Sequence, residues 1–257
     1  MDDTYQSYLN RVARLTRAAT QHTQIQTLQE SPKFKGSEAV AFPGYSVMTA
    51  IASVDTQNTA LYEKLATLQQ ELVSQTAPGL LVPVKPETFH LTLADLIWED
   101  AYRQAVQEKP DYETLLRDRI AQSFQKCHNT VSQGTPLKFE LLGIILRPRA
   151  ISVGLVPQSE ADFQRLQFLR RTLYQDPNII ALGIEQQYNF TAHLTLGYFG
   201  TIAPDLDRDA LCNTLANIND NWLDREFPVF TAASAQLWKF EDMSTFQRDA
   251  ASPELNF

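Results

Sequence analysis

The hexapeptide Thr88-Phe89-His90-Leu91-Thr92-Leu93 recurs, with one residue changed, as Thr191-Ala192-His193-Leu194-Thr195-Leu196. The two histidines are 103 residues apart, and the chain of 257 residues has only four. What surrounds the string repeats as well, and that constrains the fold more than any single stretch does. In the first half, a buried strand at Tyr45–Ile51 leads into a helix over 58–74 with Leu61, Leu65, Leu68 and Leu72 on one side. The strand bearing His90 follows, then a helix over 112–127 marked by Leu115, Leu116, Ile120 and Phe124, then a strand over 137–146. The second half runs in the same order. A strand at 151–156 precedes a helix over 160–174, the His193 strand, a helix from about 207 to 218, and a last strand from Phe227 towards Trp238. Both halves read β-α-β-α-β with the histidine in the middle strand, so the sequence is that of an internal duplication.

Strands alternating with helices usually signal a parallel sheet. Here, however, the strands 137–146 and 151–156 are joined only by Arg147-Pro148-Arg149-Ala150. So short a link permits a hairpin and excludes a crossover. The expected fold is therefore α+β: two duplicated β-α-β-α-β lobes with mainly antiparallel sheets and a central cleft holding both histidine strands. The lobes are expected at about 42–146 and 150–241 within a domain of 42–241. Ahead of them, residues 1–41 read as a helical extension and loop. The first 29 residues carry Tyr5, Tyr8, Leu9, Val12 and Leu15 at helical spacing, and Arg11, Arg14 and Arg17 fall on a solvated face. Residues 242–257 read as a loose polar tail.

The bulk of the sequence excludes several functions. No apolar stretch approaches the length needed to span a bilayer, and no secretory leader is expected at the start, Met1-Asp2-Asp3-Thr4-Tyr5-Gln6. Cys127 and Cys212 are isolated, which fits a reducing cytoplasm and gives no zinc or disulfide framework. A net charge of −8 argues against extended contact with a nucleic-acid backbone. A small phosphate-bearing substrate or an RNA end remains open, held by some of Lys33, Lys35, Lys85, Arg147, Arg149, Arg170 and Arg171. The protein is expected to be a cytoplasmic monomer with neither metal nor cofactor.

A strand alternates its side chains between faces, so Thr, His and Thr of each hexapeptide project together while the leucines bury the other side. Two imidazoles converging on one substrate can serve as base and acid near neutral pH. Splitting a phosphodiester with water needs that pair, together with hydrogen-bond donors for charge on the non-bridging oxygens. The candidate catalytic residues are thus His90, Thr92, His193 and Thr195. Thr88 and Thr191 share their face, Arg147 and Arg149 could clamp phosphate, and Tyr198 could meet the substrate. Tyr45, Tyr188 and Trp238 are better read as core packing, His22 as surface, and Cys127-His128 as unconnected to catalysis.

The paired His-x-Thr strings, and above all His193-Leu194-Thr195-Leu196-Gly197-Tyr198-Phe199-Gly200, resemble the two-histidine (2H) phosphoesterases. That family includes the LigT-like RNA 2′,3′-cyclic phosphodiesterases and RNA ligases and the ADP-ribose cyclic phosphate hydrolases. The resemblance spans about residues 42–241. It implies a bilobal, pseudo-twofold fold and metal-independent cleavage of a 2′,3′-cyclic phosphate or a related small cyclic nucleotide phosphate. His90 with Thr92 and His193 with Thr195 would then be catalytic, with His193 activating water and His90 protonating the leaving oxygen. A non-enzymatic module binding nucleotides or RNA ends, or a 2′-5′ RNA ligase, is the alternative.

Overall fold

The computed structural model describes residues 3–223 and 226–257. Helices α1 (Tyr5–Leu15) and α2 (Ala18–Ile25) precede a small hairpin, β1 (Phe34–Lys35) and β2 (Glu38–Ala39). The first repeat then contains β3 (Gly44–Met48), α3 (Thr59–Gln75), β4 (Leu81–Pro83), a 3₁₀ turn at Pro86–Thr88, β5 (Thr92–Trp98), α4 (Glu99–Glu108), α5 (Tyr112–Val131) and β6 (Leu137–Arg147). The second contains β7 (Ala150–Pro157), α6 (Glu160–Tyr174), the short α7 (Pro177–Ile180), β8 (His193–Phe199), α8 (Arg208–Leu223), β9 (Phe230–Ala232) and β10 (Ser234–Asp242). Two further strands, β11 (Thr245–Gln247) and β12 (Glu254–Asn256), end the chain.

The class is α+β, and every strand pairing is antiparallel, as expected. One sheet has the order β11-β10-β3-β5, with β12 also on β10, and the other has the order β4-β8-β7-β6-β9. Pro148 and Arg149 alone turn β6 into β7, and Arg147 pairs with Ala150 across the hairpin. This tight turn has a consequence for the lobes. It carries β6, the last strand of the first repeat, into the sheet of β7 and β8, while β10 of the second repeat joins β3 and β5. Helices exchange likewise: α3 packs on β4 and β8, whereas α6 packs on β5. The sheets therefore do not coincide with the sequence halves 42–146 and 150–241.

Three other expectations are corrected. The N-terminal helix is two helices, because Arg17 is extended (φ −74°, ψ 140°) where α2 begins. It is also no appendage: Tyr8, Val12 and Ile25 are fully buried in the main core. The last strand is split at Ala233, so that β9 lies in one sheet and β10 in the other. Finally, the tail is built in. β11 and β12 both pair with β10, and Leu255 and Phe257 are buried. Each such burial contributes roughly 2–3 kcal/mol to holding the end of the chain down.

Candidate active site

The two sheets are bridged where the hexapeptides meet. Leu91 and Leu194, the residues after each histidine, form an antiparallel bridge, and both are fully buried. A residue paired antiparallel with its own counterpart is what a twofold axis requires, so the pseudo-symmetry axis of the duplication passes through this bridge. In that register, the residue before Leu91 lies across from the residue after Leu194. His90 therefore neighbours Thr195, and His193 neighbours Thr92, all on the side opposite the two leucines. The close approach of the first repeat to β8 also depends on Gly197. A Cβ there would stand 2.8 Å from Val82 O and 2.9 Å from Leu81 Cδ1 of β4.

His193 is the first residue of β8, whereas His90 comes just before β5 and follows the 3₁₀ turn. Their rings are held alike. His90 Nδ1 is 2.7 Å from the Thr88 carbonyl, and His193 Nδ1 is 2.7 Å from the Thr191 carbonyl. A carbonyl only accepts, so each Nδ1 carries the proton and each Nε2 is left with its lone pair. Arg147 Nη2 also lies 3.4 Å from His193 Nδ1, a longer contact between two donors and hence a charge effect.

Both histidines line one cavity of about 820 Å³, together with Thr92, Thr195, Arg147, Arg149, Tyr198, Lys33 and Asp95. Burial pushes the His90 imidazolium down to about 4; the nearby Lys33 charge adds to this and the Thr88 carbonyl opposes it. Burial pushes His193 further, to about 3, with the Arg147 charge as the next cause. Burial raises the Asp95 carboxyl, against the cations of Lys33, Arg170 and Arg147. Both imidazoles are thus neutral near pH 7 in the empty cleft, ready as bases.

The hydroxyls of Thr92 and Thr195 face the cleft and make no hydrogen bond among the described residues. Thr88 also lines the cleft, but its hydroxyl donates to the Lys85 carbonyl at 2.7 Å. Thr191 stands behind His193, and its hydroxyl accepts from Arg11 at 2.7 Å. What both outer threonines give the histidines is a backbone carbonyl, because the turn at Pro86–Thr88 and the loop before β8 interrupt the strict alternation expected there. Arg149 lines the cavity from an exposed position and donates to Gln29 at 3.1 Å. Tyr198 lines it too, with its hydroxyl donating to Met243 Sδ at 3.2 Å.

Lys35, Lys85, Arg170 and Arg171 do not line the cavity, and Arg170 is buried against the rings of Tyr174 and Phe190. Tyr45 packs on Tyr102, and buried Trp238 donates to Gln236, as core residues do; exposed Tyr188 instead lies at the cavity mouth. Sequence reasoning missed three residues that shape the site. Arg11, expected on a solvated face, donates to Thr191 and to the Phe190 carbonyl. Asp95 interrupts an apolar run, which was a signal to be read. Phe246, in the supposed tail, sets its ring centroid 5.0 Å from that of His90. Among the described residues, no three of His, Cys, Asp and Glu gather as a metal-ligand set. No helix among them is long and apolar enough to cross a membrane.

No protein-family model matches the chain, and a search of curated proteins gives no match. Solved structures do match. A protein of unknown function from Agrobacterium tumefaciens is similar over 85% of this chain and 90% of its own, with a TM-score of 0.55 and 17% identity. A Thermus thermophilus protein aligns over 83% and 94% (TM-score 0.43, 16% identity). Escherichia coli LigT, solved with 3′-AMP, aligns over 84% and 95% (TM-score 0.39, 15% identity). What this chain shares with the Agrobacterium protein, at so low an identity, is its fold.

Proposed function

We propose that the protein is a two-histidine phosphoesterase that opens a 2′,3′-cyclic phosphate or a related small cyclic nucleotide phosphate, including one at an RNA end. One observation carries this reading: two imidazoles, each with Nδ1 tied to a carbonyl and Nε2 free, share a cleft with two unengaged threonine hydroxyls. The paired His-x-Thr resemblance supports it as well. His193 takes a proton from water through Nε2, and the water oxygen attacks phosphorus. The bond from phosphorus to the ribose oxygen breaks, and His90, protonated, gives that oxygen its proton. Thr92 and Thr195 donate to the non-bridging oxygens, and the Arg147 charge stabilises them.

An acid is needed, yet both imidazoles are neutral in the empty cleft. The substrate's negative charge supplies the difference, because an anion beside an imidazole favours its protonated form. His90 takes that proton first, because the Arg147 guanidinium lies against the His193 ring, 3.4 Å from its Nδ1, and not against that of His90. The test is phosphorus NMR on the protein incubated with a panel of 2′,3′-cyclic nucleotides and ADP-ribose cyclic phosphate. A single phosphomonoester product, formed in EDTA as well as without it, is expected. Tight binding with no product after long incubation would instead establish a binding module.

A further inference from the structure

The proposed reaction leaves the N-terminal segment unexplained. This segment runs along the cleft and is tied to both sheets. The Ser31 N–H donates to the Phe199 carbonyl of β8 at 2.7 Å, and the Phe42 N–H donates to the Glu241 carbonyl of β10 at 2.8 Å. Between those anchors, the Lys33 N–H bonds Ser31 Oγ at 3.3 Å, and the Lys33 carbonyl accepts from Val40 at 2.9 Å. The backbone of Lys33 is therefore fixed where it enters the cavity. Its ammonium is held between two rings, with Nζ 4.5 Å from the Phe42 centroid and 5.1 Å from that of Tyr198. It also reaches the Tyr198 hydroxyl at 3.5 Å.

Among the described residues, neither Lys33 nor Arg147 has a carboxylate within ion-pair distance, although the chain carries a net charge of −8. Asp95 lines the same cavity and acts on both cations, but from beyond ion-pair distance, and two cations held in this way beside neutral imidazoles suit an anion from outside. We propose that Lys33 is a phosphate-binding residue, delivered by the N-terminal segment to neutralise, with Arg147, the non-bridging oxygens of the group lying between His90 and His193. This deepens the phosphoesterase reading, on which the identity of the anion rests. The charge of Lys33 also lowers both imidazoles, after burial and nearer groups. A lysine suits the role, since its ammonium is a point charge with three donors that can follow phosphorus from diester to monoester.

The experiment is calorimetric titration of inorganic phosphate into wild type, Lys33→Met and Lys33→Arg at low salt, alongside kcat/KM on a 2′,3′-cyclic nucleotide. Met keeps the apolar stem between Phe42 and Tyr198, and Lys33→Gln replaces it if the Met variant does not fold. Loss of one charged hydrogen-bonding partner should weaken phosphate binding roughly tenfold to a hundredfold. Arg should recover most of that loss, while the thermal midpoints of all variants stay together. A merely structural staple would move the midpoint and leave phosphate affinity alone. Unchanged phosphate affinity in Lys33→Met, or no phosphate binding by wild type, overturns the assignment. Lys33-dependent phosphate binding with no turnover of any cyclic nucleotide would remove the phosphodiesterase reading and leave the anion site standing.

Discussion

The two hexapeptides each present a histidine and its following threonine to one cleft, yet they are supported by different parts of the molecule. The second copy is clamped by α1. The Tyr8 hydroxyl accepts from the Ala192 N–H at 3.0 Å and donates to the Leu155 carbonyl at 3.1 Å, and Arg11 donates to Thr191 and to the Phe190 carbonyl. Arg147 then lies against the His193 ring. The first copy is held from the other side: Arg170 of α6 donates to the Leu93 carbonyl, Tyr174 of the same helix donates to the Asp95 carbonyl at 2.7 Å, and the Phe89 carbonyl accepts from the Ala52 N–H at 2.9 Å. Leu91 exchanges bonds with Thr49, its N–H reaching Thr49 Oγ1 at 3.1 Å and its carbonyl accepting from the Thr49 N–H at 3.0 Å. Against the His90 ring lies the ring of Phe246, steeply inclined to it. Nearly identical strings thus acquire different chemistry from their neighbours: one imidazole beside a cation, the other beside an aromatic ring. A duplicated pair that must divide into base and acid needs such a difference.

The largest effects come from the histidines themselves. His90→Ala and His193→Ala should each lower kcat by roughly 10²–10⁴, the usual worth of a general acid or base. The comparison can be broken with a diester whose leaving group is a nitrophenolate, which departs without being protonated. That substrate should restore much of the rate to His90→Ala and little to His193→Ala. Equal rescue of both variants would show that the two copies do not divide the roles.

Arg147→Met comes next. Removing the cation beside His193 favours the imidazolium, so its pKa rises from about 3 towards the ordinary value near 6.5. The base is active only when deprotonated, so the acid limb of kcat/KM against pH should move up in this variant. The loss of phosphate neutralisation should also cost roughly tenfold to a hundredfold at pH 7. A uniform drop with an unmoved limb would assign Arg147 to the phosphate alone and remove it from the tuning of His193.

Much of this arrangement was legible in the sequence, and what was hidden has a physical reason. Helix α6 occupies 160–174, the range that the spacing of its apolar residues predicts, and in the structure Ser159 caps it. The β6–β7 hairpin followed from a connection too short for anything else. The exchange of β6 and β10 between sheets was not readable, since strand patterning states which face is buried but not against which partner. Thr88 lines the cleft but turns its hydroxyl to the Lys85 carbonyl, a bond made by the turn at Pro86–Thr88 that alternation within the hexapeptide does not foresee. The end of the chain hid its role in a short alternation, Glu254-Leu255-Asn256-Phe257, preceded by polar residues. Arg11 shares a helix face with solvated arginines and differs from them only in what the fold brings opposite.

The smallest expected effect tests that hidden end. Phe246 meets His90 at 63° between ring planes, an edge contact of the kind worth about 0.5–1.5 kcal/mol. Phe246→Leu keeps an apolar side chain on β11 and removes the ring edge. It should lower kcat by roughly twofold to tenfold, the same range expressed as a rate. The sharper measurement is nitrogen NMR of the two imidazoles in the empty protein. The His90 resonances should move, and those of His193, held by α1 and Arg147, should stay in place. Equal movement of both would mean that the C-terminal strands hold the cleft as a whole, with the Leu91–Leu194 bridge transmitting the change, and that the two copies are not separately supported after all.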